Sequence, residues 1–376
     1  MRRILDGVRV LDFTRVIAGP YCTRMLADLG ADVIKIEHPS SLQGNVTARS
    51  GSASNNLGKR SIVIDLKHED GGALARELAG KVDVIIENFR PGVMGRLGLD
   101  FASLSTVSPR LIYCSISGFG QTGPFAHRRA YGATAHAESG WLWVQQQAVG
   151  SEAPFAPGVT VADIATGMNA FSAILAALYD RERTGRGQHC ETTLMDSQLA
   201  MLSEVAGPAL NGVAEADWEP FRHPVHAAKD GHVTINIGDE RGWKRLAKAF
   251  GYEGAARPAD VEAANAEIAT WVAEHTVAEV ADLLETTGAP YGAVMTMHEA
   301  GAHPHYKARG MIVEVSDAEG VVTRAVGSPL RFSEADVTPT GPAPIAGADL
   351  HEVLAEFEID AERVEKLLSG GAVLKP

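Results

Sequence analysis

Val8-Arg9-Val10-Leu11-Asp12-Phe13, then Thr14-Arg15-Val16-Ile17-Ala18-Gly19, then Pro20-Tyr21-Cys22-Thr23-Arg24-Met25-Leu26-Ala27-Asp28-Leu29 read as strand, turn and helix. The same unit recurs downstream. Val33–Glu37, Ile62–Leu66, Val82–Glu87 and Leu111–Ser117 are short apolar segments that predict strands, and Gly71–Ala79 predicts a helix between two of them. Strands joined by helical crossovers close into a parallel, doubly wound α/β sheet. Such a sheet binds ligands where its βα units turn over. Three stretches fall there: Arg15–Pro20, Asn88–Gly92 and Ser117–Pro124.

Further along, Ile164, Met168, Phe171, Leu175 and Leu178 fall at helical spacing and predict a buried helix of about four turns, ended by the polar run Arg181–Gly187. Asp163 is a lone carboxylate at its mouth, where an N-cap is one reading. Composition changes near Gly212–Arg222. Asp230-Gly231 then signals a hairpin before a strand at Val233–Ile237. Acidic, Ala-rich helical segments run to about Leu284. A second crossover at Arg324–Phe332 is expected to lead back to the first domain, and Asp349–Leu368 again has helical spacing. The expected division is a large domain over 1–212, a smaller one over 213–322, and a return to the first over 323–376.

Length and a 45% hydrophobic content are ample for two cores. No apolar run approaches the ~18 residues needed to span a bilayer, and Asp6, Arg9 and Asp12 interrupt any signal-like start, so no membrane is expected. Cys22, Cys114 and Cys190 are few, odd in number and scattered; they suit a reducing cytoplasm and lack metal-ligand spacing. A net charge of −13 argues against nucleic acid as a partner. Yet residues 1–135 hold 17 Lys and Arg against 12 Asp and Glu, so a polyanionic small ligand would meet the N-terminal third. Ordinary scatter of surface charge is the competing explanation. It weakens because Arg15, Arg90, Arg96 and Arg129 lie inside or just after the turn stretches.

Gly118-Phe119-Gly120-Gln121-Thr122-Gly123 spells G-x-G-x-x-G after a strand, but Pro124 and Phe125 follow where a dinucleotide site needs a helix. Nicotinamide binding is therefore not expected.

Val10–Pro20, Gly30–Glu37 (Gly-Ala-Asp-Val-Ile-Lys-Ile-Glu), Lys59–Ile62, Glu87–Gly92, Ser117–Pro124 and Gly327–Phe332, in that order, resemble the class III coenzyme A transferases along nearly the whole chain. That family includes formyl-CoA and carnitine-CoA transferases, with α-methylacyl-CoA racemase as a divergent branch. The resemblance implies a Rossmann-like large domain built from both chain ends, a smaller inserted α+β domain and an intertwined homodimer. It also implies CoA transfer from an acyl-CoA donor to a small carboxylate through an aspartyl mixed anhydride and an aspartyl-CoA thioester. By the same resemblance the CoA thioester is expected as a substrate, with no tightly bound cofactor.

Carried over residue by residue, the resemblance implies that Asp163 in Val-Ala-Asp-Ile-Ala is the nucleophile. It implies CoA contacts from Val16, Ala18, His38, Asn88, Phe89, Arg96 and Arg129. Tyr131, His136, Gly120 and Glu240 are the candidates for the substrate pocket. Several positions depart from the formyl-CoA transferase pattern: Ile17 replaces Gln, His38 replaces Arg, Gly132 replaces Glu and His136 replaces Gln. The glycine-rich lid is missing at Ile237–Gly242, which puts oxalate and formyl-CoA specificity in doubt. Tyr131 stands where the racemase branch carries its catalytic His, and a neutral phenol is a poor base near pH 7. A racemase is thus the first alternative, and a non-catalytic CoA-ester-binding protein the second.

Overall fold

The predicted opening strand forms as β1 (Arg9–Asp12), where Val10 and Leu11 have no exposure because helices cover both faces of the sheet. A computed structural model describes residues 2–43, 51–218, 224–236, 240–251, 261–316 and 320–376. It comprises two units. One consists of Met1–Gln146, Ser151–Trp218 and Arg309–Pro376; the other of Gln147–Gly150 and Glu219–Ala308.

In the first unit β1 is followed by β2 (Asp32–Glu37), β3 (Arg60–Ile64), β4 (Val84–Glu87), β5 (Ile112–Ser117) and β6 (His189–Thr193). They lie side by side in the order 3-2-1-4-5-6, all parallel. That is the Rossmann order, with its switch point between β1 and β4. One face packs on the helix Glu69–Ala79 through Leu74, Ala75 and Leu78. The other packs on the helices Ala18–Asp28 and Val161–Thr184. Pro20 fits the first turn of Ala18–Asp28, where a missing N–H costs nothing.

The Val161–Thr184 helix begins three residues before the expected Ile164, with Thr160 as N-cap, so Asp163 is its third residue and not its cap. Gly185, at φ 72°, closes it with its N–H on the Arg181 carbonyl. Contrary to the sequence reading, it is long and apolar enough to cross a membrane by length and composition alone. In this fold it is a core helix. Ala170, Ile174 and Ala177 are buried, and Arg181 is buried in an ion pair with Asp83 at 2.9 Å. The scattered cysteines converge beside it: Cys114 and Cys190 are register partners on β5 and β6, and Cys22 packs in the same core. All three are free thiols.

The second unit has an antiparallel sheet of β7 (Val225–Ala227), β8 (His232–Ile235) and β9 (Tyr291–Ala293), with Asp230-Gly231 in the connection between β7 and β8. Its core gathers Trp243, Leu246, Ile268, Val272, Val280 and Leu284 from three helices. Ile237–Asp239, part of the expected lid region, lie outside the described residues.

Residues 213–218 and 309–322, expected in the smaller domain, belong with the first unit. Local contacts explain the shift: Trp218 packs on Trp143 with ring centres 4.9 Å apart, and Arg24 donates to the Val326 carbonyl. The expected crossover at Arg324–Phe332 is also corrected. β10 (Ile312–Ser316) and β11 (Val322–Val326) form a separate antiparallel pair. The return to the main sheet is made by β12 (Val373–Leu374), antiparallel to β3. The tail is two helices, Leu350–Glu356 and Ala361–Ser369, broken where Glu358 takes φ 62° and Asp360 caps the next helix.

Candidate active site

Asp12 ends β1 beneath the switch point, fully buried. One of its oxygens accepts from the Thr14 N–H at 2.8 Å and the Thr14 hydroxyl; the other accepts from the Thr23 hydroxyl and from Lys59 Nζ at 3.1 Å. Lys35 Nζ donates to the Thr14 carbonyl at 2.8 Å. Burial alone would raise the Asp12 carboxyl, but Lys35, Lys59 and the two hydroxyls outweigh it and hold it well below the usual carboxylate range. The exit of β1 is thereby fixed.

The turn above it is strained. Val16 takes φ 70°, a region β-branched residues rarely occupy, and is 60% exposed. Asn88, just after β4, clamps the neighbouring residue from both sides: its Oδ1 accepts the Arg15 N–H at 2.9 Å and its Nδ2 donates to the Arg15 carbonyl at 2.7 Å. The Arg15 guanidinium lies 5.3 Å from the centre of the Phe89 ring. The Phe89 N–H donates to Glu87 Oε2 at 2.8 Å. Burial pushes Glu87 up to about 7, opposed by hydrogen bonds from Ser115 and that N–H.

After β5 the chain turns through Gly118 and Gly120. Gly120 has φ 100° and donates to Ser117 Oγ at 2.8 Å. Arg128 is held like a post, 4.7 Å from the Phe119 ring centre, 5.0 Å from that of Phe125, and paired through both Nη atoms with Glu138. The helix Gly132–Glu138 follows. His136 on it is 3% exposed, and its Nε2 accepts the Ala162 N–H at 3.1 Å. Burial moves this imidazole below the ordinary histidine value.

Asp163 follows Ala162 and is 8% exposed. Among the described residues its carboxylate has no ion-pair partner; its own backbone N–H is the group that favours the charged form. Burial raises it above the usual carboxylate range, against the pull of the helix N-terminus. A Cβ on Gly132 would collide with Asp163 Oδ2, so no larger residue fits there without moving the carboxylate.

These elements enclose a cavity of about 330 Å³. It brings together Val16, Ala18, Asn88, Phe89, Arg129, Tyr131 and Asp163, as their assignment to one site required. Tyr131 is 69% exposed at its wall. Five other expected residues do not line it. His38 sits on the turn after β2, its Nδ1 accepting the Ser40 N–H at 3.1 Å. Arg96 is exposed on the short helix Val93–Arg96, with its Nη1 beside Gly92. Gly120 is buried in its turn, and His136 is behind the wall, spent on Ala162. Glu240 opens the helix Glu240–Ala249 of the second unit.

The cavity also has walls that were not assigned from sequence: Arg15, Arg90 and Arg128, with Ser117, Gly118 and Leu194. Position in the turn stretches had flagged Arg15 and Arg90; only the Arg128-Arg129 doublet hinted at Arg128. Among the described residues no carboxylate pairs with Arg15, Arg90 or Arg129, whereas Arg128 is neutralised by Glu138. The result is a desolvated carboxylate that shares one cavity with arginines unpaired to any described carboxylate, a lining suited to an anionic ligand.

The profile of CoA-transferase family III matches residues 5–350. A succinate–glutarate CoA-transferase from Agrobacterium fabrum is 35% identical, over 94% of this chain and 96% of its own length. The succinyl-CoA:glutarate CoA-transferase of Mus musculus is 33% identical over 98% of this chain and 90% of its own. The crystal structure of a CAIB/BAIF family protein from Brucella suis superposes with a TM-score of 0.80 at 32% identity, over 94% of this chain and 99% of that one.

Proposed function

The chain belongs to CoA-transferase family III, and on that premise we propose that it moves CoA between an acyl-CoA and a small dicarboxylate with Asp163 as the nucleophile. One observation carries the reading: Asp163 is desolvated, without an ion-pair partner among the described residues, and walls the same cavity as Arg15, Arg90 and Arg129. A carboxylate oxygen of Asp163 attacks the thioester carbonyl, and the CoA thiolate leaves with the electron pair of the C–S bond. The thiolate then attacks the Asp163 carbonyl of the mixed anhydride, giving an aspartyl-CoA thioester and releasing the donor acid with one Asp163 oxygen. An incoming carboxylate reverses the sequence. The dicarboxylate preference draws on the relatives, whose names include succinate, glutarate, oxalate and mesaconate.

Incubation with ¹⁸O-labelled succinate or glutarate and a range of acyl-CoA donors tests this by mass spectrometry. Label should pass from the acceptor into Asp163 and then into the released donor acid. New acyl-CoA formed without label in the donor acid would overturn the aspartyl route. The racemase reading is disfavoured because, among the described residues, no histidine lines the cavity and Tyr131 is at its wall, which leaves Asp163 to serve as any base there. Incubating a 2-methylacyl-CoA in heavy water should give negligible deuterium at the α-carbon; rapid incorporation would restore that reading.

On this reading the arginines without a carboxylate partner among the described residues take the CoA phosphates. Replacing Arg90 or Arg129 by Ala should raise the Michaelis constant for acyl-CoA about tenfold or more, since charge-assisted hydrogen bonds contribute roughly 1.5–3 kcal/mol each. Turnover should change less, because contacts far from the reacting carbonyl supply uniform binding. Arg96→Ala, outside the wall, serves as the control. Unchanged constants in both wall variants would move the phosphates elsewhere.

We infer a homodimer from an uncovered apolar surface on the first unit. Met168 and Met201, about half exposed, line a hollow of about 510 Å³ with Val161 and Ile164, and Tyr179 and Leu199 are exposed on the same two helices, Val161–Thr184 and Leu194–Met201. Light scattering after gel filtration should give twice the 39.8 kDa chain mass; a monomer at micromolar concentration would refute the inference.

A further inference from the structure

The Gly132–Glu138 helix meets the first turn of the Val161–Thr184 helix at two points four residues apart, Gly132 and His136, which share one helix face. Gly132 borders the carboxylate itself, leaving no room for a Cβ beside Oδ2. His136 grips the backbone one residue earlier, through the Ala162 N–H. Ala162 is the second residue of the Val161–Thr184 helix, so its N–H has no intrahelical acceptor. Thr160, the N-cap, makes no side-chain capping bond. The acceptor the cap does not supply comes instead from His136. Ala135 and Ala162, both fully buried, pack the same junction shut with Leu194.

We propose that His136 is a positioning residue that sets the Asp163 carboxylate by capping the first turn of its helix, and that Gly132 is the space into which that carboxylate fits. The proposal rests on reading Asp163 as the nucleophile. His136 does not line the cavity, so its effect on the reaction passes through Ala162. To accept that N–H, Nε2 must be unprotonated, so the imidazole is neutral with its proton on Nδ1. This excludes it as a cation for the CoA phosphates. Covalent attack depends on the oxygen being held near 3 Å from the carbonyl, so a small rotation of the first helical turn is enough to slow it.

Steady-state kinetics of His136→Ala, His136→Gln, Gly132→Ala and Asp163→Asn, each with a thermal melt, test the proposal. Glutamine can present an amide oxygen to the Ala162 N–H; alanine cannot. His136→Ala should lower kcat about 10–100-fold, the scale of misplacements near 1 Å, with KM for acyl-CoA nearly unchanged. His136→Gln should recover most of that loss. Gly132→Ala should lower kcat with KM held, because the new methyl displaces Oδ2. Equal losses in the folded Ala and Gln variants would overturn positioning in favour of chemistry at the imidazole. Wild-type kcat in folded His136→Ala or in Gly132→Ala would overturn it outright. If His136→Ala does not fold, Gly132→Ala and His136→Gln still decide: the first must lose kcat and the second retain it. An Asp163→Asn enzyme that still transfers CoA is a separate result, and refutes the nucleophile reading instead.

Discussion

Asp163→Asn is expected to lose CoA transfer by about 10⁴-fold or more, because on the proposed aspartyl route the substitution abolishes both anhydride steps at once. Acyl-CoA binding should survive, since the cavity's arginines and the strained Val16 turn are untouched. Hydroxylamine added to wild-type enzyme with acyl-CoA should convert Asp163 to a hydroxamate, visible by peptide mass spectrometry, and the Asn variant should show none. Retention of near wild-type turnover would discard the mechanism. Stability should move the opposite way. Burial raises the folded-state value of Asp163, so its contribution is fully present below the unfolded value and is lost as pH rises through the folded one. At neutral pH the Asn variant should therefore melt higher than wild type, the pattern of a site strained for function.

Why Asp163 was legible and its setting was not is a matter of range. The strand–turn–helix unit at Val8–Leu29, the long apolar helix and the carboxylate at its mouth are written in local periodicity. Arg96 and His38 were assigned by matching positions in a motif, but motif spacing does not say which way a side chain leaves its element. Arg96 sits at the end of a one-turn helix and turns to Gly92; His38 folds back on Ser40. Arg128 becomes a wall only because Phe119, Phe125 and Glu138 hold it there, three contacts with no shared sequence signal. The Asp12 network has the same character: Lys35 comes from β2 beside β1, and Lys59 from just before β3, two strands away, and only the sheet order brings them together. The tail misled for the opposite reason. Its periodicity was right, yet Glu358 breaks the run at one left-handed residue that periodicity cannot see.

Glu87→Gln is expected to stabilise the protein at pH 8 and to change little near pH 4. Glu87 ends β4 with 4% exposure, directly before the Asn88 clamp and Phe89. Burial raises its carboxyl from an ordinary 4.5 to about 7. Its stabilising contribution is therefore fully present below 4.5, where the unfolded chain is also protonated, and is lost as pH rises through about 7. A separation of that size corresponds to about 3 kcal/mol at alkaline pH, at 1.36 kcal/mol for each unit. Glutamine is neutral at every pH and keeps an oxygen for the Phe89 N–H, so it escapes the penalty without opening the turn. Melting curves at pH 8 and pH 4.5 should show Tm raised by several degrees at the first and little changed at the second. KM for acyl-CoA should be unaffected by the Gln variant, while Glu87→Ala should raise it, because losing the acceptor frees the Phe89 N–H and loosens a cavity wall. A Tm shift of equal size at both pH values would mean that Glu87 is not the group charging in that range, and the switch would have to be sought in another buried acid.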